Sequence, residues 1–336
     1  MTRIYYEEDV PAHALEGETV AVLGYGIQGR AQALTLRDSG VTVVVGNRVD
    51  QYSHDAKNDG FAVHDLAEAT RRGTIVLFLV PDEIQPAVYQ RTVEPNLQPG
   101  AALVFAHGFA VHYGLIEPPP SFDVLLLAPR LPGEYLRGRF LDGWGVPAFV
   151  SVKNDASGRA HTRLLGLAGA LGITRCAAIE TSFAEETELD HFSEHVTYPL
   201  VFHALELAFE TLIEAGYTPE VALMELHGSG EMGEVLGATA LEGLYGMIDS
   251  HASPACKSGI SHHWDRVLGP KDEARERMEK AIEAIRSGEF ARFLMDQQAK
   301  GYPDLQRWKA QRSQRLLDAE LRLRSWLRGP SGSRLA

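Results

Sequence analysis

Short apolar runs rich in β-branched residues alternate with polar, helix-like segments through the first half of the chain. The runs are Thr19–Leu23 (TVAVL), Val41–Val45 (VTVVV), Thr74–Val80 (TIVLFLV), Ala102–Phe105 (ALVF), Asp123–Leu127 (DVLLL) and Ala148–Val152 (AFVSV). Each is short and continuous, as strands covered on both faces require, and their alternation with helical segments predicts βαβ units around a parallel sheet. After about Thr181 the texture changes. Tyr198–Ala215, Asp272–Ser287 and Asp304–Leu327 carry apolar residues at three- and four-residue spacing with no strand signal between them, which predicts an all-α second half. No Gly/Ser/Pro linker marks the handover. The expected domains are therefore 1–181 (α/β), 182–328 (helical) and a disordered tail, 329–336.

A length of 336 residues suits two domains, since a single core stops growing near about 250–300 residues. Lys+Arg 32 against Asp+Glu 45 leaves a net charge of -13, which repels a phosphate backbone and offers no basic stripe for nucleic acid or anionic lipid. Cys176 and Cys256 cannot form a disulfide framework, and the start MTRIYYEEDV lacks the basic and apolar stretches of a signal peptide. No apolar run approaches the length needed to span a bilayer. These features together lead us to expect a soluble cytoplasmic protein without a nucleic-acid or membrane partner.

The first apolar run leads straight into Gly24-Tyr25-Gly26-Ile27-Gln28-Gly29, followed by a helical pattern and a second strand ending at Gly46-Asn47-Arg48. A GxGxxG in this context allows a tight turn and brings a pyrophosphate close to a helix N-terminus, where free N–H groups and the dipole favour an anion. The strand before and the helix after outweigh the alternative of a glycine-rich turn without a ligand. An acidic residue usually follows the second strand in NAD enzymes; here Arg48 stands there and suits a 2′-phosphate, with Ser53 and Gln51 as further hydrogen-bonding groups. Asp50 would repel that phosphate. NADPH is therefore favoured, and NADH remains open.

The helical half begins with Glu185-Glu186-Thr187-Glu188-Leu189-Asp190-His191-Phe192-Ser193-Glu194. Asp190 and Glu194, at i and i+4, would project from one helix face, with Glu186 one turn earlier, close enough together to hold a hard cation. The same segment also fits a solvated acidic helix start favoured by the dipole.

The order of motifs bears on that choice. GYGIQGRAQALTLRDSG, VPDEIQPAVYQRTVEPNLQPGAALVFAHGF, EETELDHFSE, FETLIEAGYTPE and IRSGEFARFLMDQQAKGYP resemble, in order and over nearly the whole chain, ketol-acid reductoisomerases of the short, class I type with a single helical domain. The resemblance implies a Rossmann domain followed by a knotted, dimerising all-α domain, with NADPH and Mg²⁺ as cofactors. It implies alkyl migration followed by ketone reduction of a 2-hydroxy-3-keto acid such as 2-acetolactate, a step of branched-chain amino acid biosynthesis. Two divalent ions bridging the hydroxyl and carbonyl oxygens serve this chemistry through Lewis acidity and positioning. Residue by residue, it makes Asp190 and Glu194 metal ligands, with Glu225, and in place of a further glutamate Glu231, offered from the partner subunit. Pro81, Asp82, His107 and Gly133 would lie beside the cofactor, and His107, Arg130 and Glu194 would be catalytic. A lone His107 would otherwise read as a satisfied loop residue.

The chain departs from the pattern on the substrate side. Lysine in the family is Arg130 here, a planar fork in place of a point charge. The glutamate expected four residues after Glu225 is Ser229, and the serine expected to hold the substrate carboxylate is Ala252, flanked by Ser250 and Ser253 as substitutes. The alternatives are a divergent paralogue that only reduces another keto acid or an imine, a metal-independent hydroxy-acid dehydrogenase, and a non-catalytic nucleotide-binding protein. In each catalytic reading the expected partners are a small keto or ketol acid and further copies of the chain, at least as a homodimer.

Overall fold

The computed structural model describes residues 2–267 and 269–327. The expected tail 329–336 lies outside the described residues. The chain divides into two units, Met1–Asp190 and His191–Ala336.

The first unit carries strands β1 (Ile4–Tyr5), β2 (Thr19–Leu23), β3 (Thr42–Gly46), β4 (Val63–His64), β5 (Ile75–Phe78), β6 (Ala102–Phe105), β7 (Asp123–Pro129), β8 (Ala148–Asn154) and β9 (Ala178–Glu180). They form one sheet in the order β1-β9-β8-β7-β6-β5-β2-β3-β4. The run from β4 to β7 is parallel throughout. Every residue of β5 and β6 is buried, which is why these strands read as unbroken apolar runs. The chain reverses its direction of winding between β2 and β5, and a crevice opens there at the carboxyl ends of the strands, the position where doubly wound sheets bind ligands. β8 adds antiparallel to β7, β9 parallel to β8, and β1 closes the edge antiparallel to β9.

At the opposite end of the sheet a charged network is buried. Arg163, on the helix Ala160–Ala170, donates from Nε to Glu18 Oε1 at 2.9 Å and from Nη1 to Asp123 Oδ2 at 2.8 Å. Asp123 also accepts from the backbone N–H groups of Ala156 and Ser157, each at 2.9 Å. Burial alone would raise the Glu18 carboxyl, but hydrogen bonds from Arg163 and Thr74 and the charges of Arg163 and Arg159 hold it below the usual carboxylate range.

The second unit contains helices and no strand among its described residues. Its central contacts join Phe209, Ala222, Leu223, Ala319 and Leu323. Many large apolar side chains stay outside that core, among them Phe202, Leu207, Leu236, Leu241, Tyr245 and Trp264. One helix, Phe183–Glu214, continues across the boundary, which explains the missing linker signal. It is long and apolar enough, by length and composition, to cross a membrane, although no apolar run of that length was evident in the sequence.

Of the six predicted strands, Thr19–Leu23 and Ala102–Phe105 recur with the same ends and the other four with shifts of one or two residues, while β1, β4 and β9 are too short to show a period of two. The expected helix Asp304–Leu327 is broken into Pro303–Gln311 and Gln314–Leu327. Arg312 is extended, with ψ 142°, and the Ser313 hydroxyl accepts from Leu316 N–H at 3.4 Å, so a serine N-cap restarts the helix.

Removing the buried Arg163 guanidinium leaves Asp123 without its cation and Glu18 with only the half-exposed Arg159. Arg163→Met is expected to lower stability by about 3–5 kcal/mol in urea unfolding. Because the folded carboxyl of Glu18 is depressed, its contribution is present above its unfolded pKa and is lost as pH falls through the folded value. The acid limb of stability should therefore flatten in Glu18→Gln.

Candidate active site

The glycine loop follows β2 without a gap. Gly24 has φ +98°, and a side chain there would meet Leu79 O at 2.8 Å. At Gly29 a Cβ would lie 1.9 Å from Gly24 O, so only glycine lets the helix Ile27–Asp38 close on the loop. Gly26 differs, because a Cβ there would meet nothing within 4 Å. The space over Gly26 and the helix N-terminus, which no side chain caps, form an open cradle of the kind that takes a phosphate. Gly133 sits against the loop, with its Cβ position 2.2 Å from Ile27 O, and Gln28 Nε2 donates to Leu131 O at 3.1 Å. Tyr25 Oη donates to Asp59 Oδ2 at 2.9 Å, and Arg30 clamps the same carboxylate from Nε at 2.7 Å.

After β3, Arg48 Nε donates to Asp50 Oδ2 at 2.8 Å and is otherwise exposed. Ser53 is buried, and its hydroxyl donates to Asp50 O at 2.8 Å and accepts from Asp50 N at 3.2 Å. It belongs to the capping box of the helix Gln51–Asn58.

His107 follows the end of β6. Its Nδ1 lies 2.7 Å from Asp82 Oδ2, and its Nε2 lies 3.6 Å from Asp190 Oδ2. Gln85 Nε2 orients Asp82 by donating to Oδ1 at 2.9 Å. Burial pushes the imidazole down, but the hydrogen bond and charge of Asp82, with the charges of Glu186 and Asp190, raise it to about 9. Pro81, Asp82, Gln28 and His107 line one cavity of about 200 Å³ at the carboxyl ends of the strands.

Glu186 and Asp190 come from the helix Phe183–Phe192. Glu186 is fully buried and accepts from Gly108 N–H at 2.7 Å and from Arg130 Nη1 at 3.1 Å. The Arg130 Nη2 donates to Asp190 Oδ1. Burial raises the Glu186 carboxyl against the opposing charge of His107. Among the described residues, His107, Glu186 and Asp190 form the cluster whose ligand atoms all lie within 4.8 Å of one another. Gly108 was not singled out in the sequence, yet a Cβ there would meet Thr187 Oγ1 at 2.5 Å and Phe183 O at 2.6 Å.

The remaining sequence-predicted residues belong to the second unit. Glu194 lies in a π-helical turn, Ser193–Thr197, where the ladder runs i→i+5 and the i, i+4 spacing of an α-helix no longer applies. Glu225 lies in another such turn, Met224–Gly228, and Glu231 opens the helix Glu231–Glu242. Ser250 donates to Gly246 O at 2.9 Å and to Glu242. Ser253 caps the helix Pro254–His263, accepting from Cys256 N at 3.2 Å.

A mixed sheet with a parallel dinucleotide-binding core, followed by a helical domain, and carrying a glycine-loop anion cradle with a histidine and carboxylates, defines an NADP(H)-dependent oxidoreductase. Residues 14–177 match the acetohydroxy acid isomeroreductase NADPH-binding domain, and residues 183–328 match the ketol-acid reductoisomerase C-terminal domain. The chain belongs to the ketol-acid reductoisomerase family. A ketol-acid reductoisomerase (NADP(+)) of Caldivirga maquilingensis is 44% identical over 313 residues, covering 91% of this chain and 92% of the relative. That of Methanopyrus kandleri is 45% identical over 295 residues, covering 87% and 88%. The solved structure of an NADH-preferring ketol-acid reductoisomerase from an uncultured archean superposes with a TM-score of 0.89 at 35% identity, over 96% of this chain and 98% of that one.

The second and third glycines of the loop should separate folding from binding. Gly26→Ala is expected to leave the melting temperature within about 1 °C of wild type while weakening NADPH binding at least tenfold, roughly 1.4 kcal/mol. Gly29→Ala, which collides with backbone, should lower the melting temperature by several degrees. Differential scanning fluorimetry and fluorescence titration with NADPH read the two effects.

Proposed function

We propose that the chain catalyses alkyl migration and then NADPH-dependent reduction of a 2-hydroxy-3-keto acid such as 2-acetolactate, with Mg²⁺, as a soluble cytoplasmic enzyme of branched-chain amino acid biosynthesis. The observation that carries this reading is the position of the His107–Glu186–Asp190 cluster at the carboxyl edge of the cofactor sheet, in a chain that matches the family over both domains. A metal-independent dehydrogenase needs no such group of carboxylates.

The two carboxylates of the cluster, Glu186 and Asp190, offer the oxygen ligands that a hard cation takes. Asp190 would hold the ion, with Glu194 from its own chain and Glu225 and Glu231 as the acids offered by a second copy. When bound, the ion supplies Lewis acidity, easing proton loss from the tertiary hydroxyl and polarising the ketone. His107, protonated and held by Asp82 at Nδ1, fixes a positive charge beside the cavity lined by Pro81 and Gln28. Gln85 keeps Asp82 in place. The glycine loop would hold the dinucleotide by its pyrophosphate, and the dinucleotide would supply the hydride.

For the cofactor, the Arg48–Asp50 pair is exposed on the arginine side, and giving it up for a 2′-phosphate costs only about 0–1 kcal/mol. Ser53 contributes through its cap and keeps Asp50 in place, and Asp50 retains the ability to accept from ribose hydroxyls, so NADH is the secondary cofactor. Arg130 across Glu186 and Asp190 favours one second reading, a reductase that has lost the migration.

Steady-state assays with racemic 2-acetolactate and Mg²⁺ decide between them. Turnover of order 1 s⁻¹ with NADPH, faster than with NADH and lost in EDTA, is expected. Oxidation of NADPH only when the already isomerised 3-hydroxy-2-keto acid is supplied would leave the reductase reading in its place.

The exposed apolar side chains of the helical unit support a homodimer or larger assembly, because surface of this kind is covered in stable proteins. Light scattering at micromolar concentration is expected to give at least twice the chain mass of 36.9 kDa, and an active monomer would contradict it.

A further inference from the structure

We propose that Arg130 is a resident cation that limits metal occupancy, holding the carboxylate pair Glu186–Asp190 so that at most one divalent ion binds at this cluster. The inference rests on the reading that the cluster takes a hard cation at all.

Four carboxylate oxygens are present in the pair, and three of them already receive N–H groups. Glu186 Oε2 accepts from Gly108 N at 2.7 Å and Oε1 from Arg130 Nη1 at 3.1 Å, while Asp190 Oδ1 accepts from Arg130 Nη2. The fourth, Asp190 Oδ2, faces His107 Nε2 at 3.6 Å. Each of these oxygens keeps a second lone pair, but an ion bridging the two carboxylates would share them with the guanidinium fork and lie beside its positive charge, so it must displace the fork or bear that repulsion. Only Asp190 Oδ2 receives no N–H from the described residues, and a metal bound there draws its other ligands elsewhere.

The fork also has an aromatic neighbour. Arg130 Cζ lies 5.1 Å from the centre of the Phe149 ring, on β8, within cation–π range, and this contact adds to the hydrogen bonds that hold the guanidinium against both acids. A lysine in the same place would present one compact charge, unable to span Glu186 and Asp190 together and easier to move aside. The family resemblance expects that lysine, so the difference between the two side chains is what sets this chain apart at the cluster.

The probe is Mn²⁺, titrated into the full chain by calorimetry and followed by electron paramagnetic resonance. Wild type should bind no more than one weakly held ion per chain in this region. Arg130→Lys should bind Mn²⁺ at least tenfold more tightly or take up one further equivalent, and Arg130→Met should do the same without any charge. Adding Asp190→Asn to Arg130→Lys should erase the gain, which localises it. Wild type binding two ions per chain with affinities within threefold of both variants would overturn the proposal, as would loss of the folded circular dichroism spectrum in both variants, which would make Arg130 a structural cation. Absence of Mn²⁺ binding in every protein would sink this inference together with the metal requirement in the proposed function. Tight two-ion binding by wild type sinks only this inference.

Discussion

A carboxylate sealed from water must be surrounded by donors, and Glu186 meets that requirement in a way that organises its neighbourhood. Its two oxygens are taken by a backbone N–H from the loop after β6 and by a guanidinium from the loop after β7. Three separate stretches of chain are thereby drawn to one point: His107–Gly108, Arg130 and the start of the helix Phe183–Phe192. Gly108 must be glycine because the helix approaches too closely for a side chain. The same approach brings Asp190 beside His107. What chemistry the cluster performs follows from a packing constraint on one buried acid.

The sheet separates two kinds of ionic arrangement. At one end, Arg163 and Arg159 balance Glu18 and Asp123, and the adjoining backbone takes up the remaining acceptors. At the other, Asp82, Glu186 and Asp190 outnumber the cations Arg130 and protonated His107, leaving a net negative charge to be met from outside. The first arrangement suits a structural fastening, the second a site that binds something positive. Parallel strands place both in fixed positions, because loops at the carboxyl ends are free to vary while the buried strands are not.

The glycine loop, the parallel core strands and the helical second half were legible from local pattern, because each rests on a period or a motif spanning adjacent residues. Asp82 on His107, Gly108 under Glu186 and Phe149 over Arg130 were not, since they join residues far apart in the chain. Ser53 shows the limit of composition: a hydroxyl near a nucleotide loop looked available, yet the backbone around Asp50 already uses it. Arg130 was noticed as a substitution, but only the fold shows that it spans two acids at once. The break at Arg312 was signalled by Ser313, a helix-starting residue hidden in an otherwise periodic stretch.

The π-helical turns at Ser193–Thr197 and Met224–Gly228 alter what a count of residues means. Each holds one amino acid more than an α-helix of the same rise, so linear distance and angular phase fall out of step. Glu194 and Glu225 sit within these turns, and Glu231 opens an ordinary helix after the second one, past the left-handed Gly230. A deletion of one residue in such a turn would relax into ordinary helix and swing every later side chain around the axis. Among its described residues the helical unit thus carries two adjustable joints, through which evolution could redirect acids without replacing them.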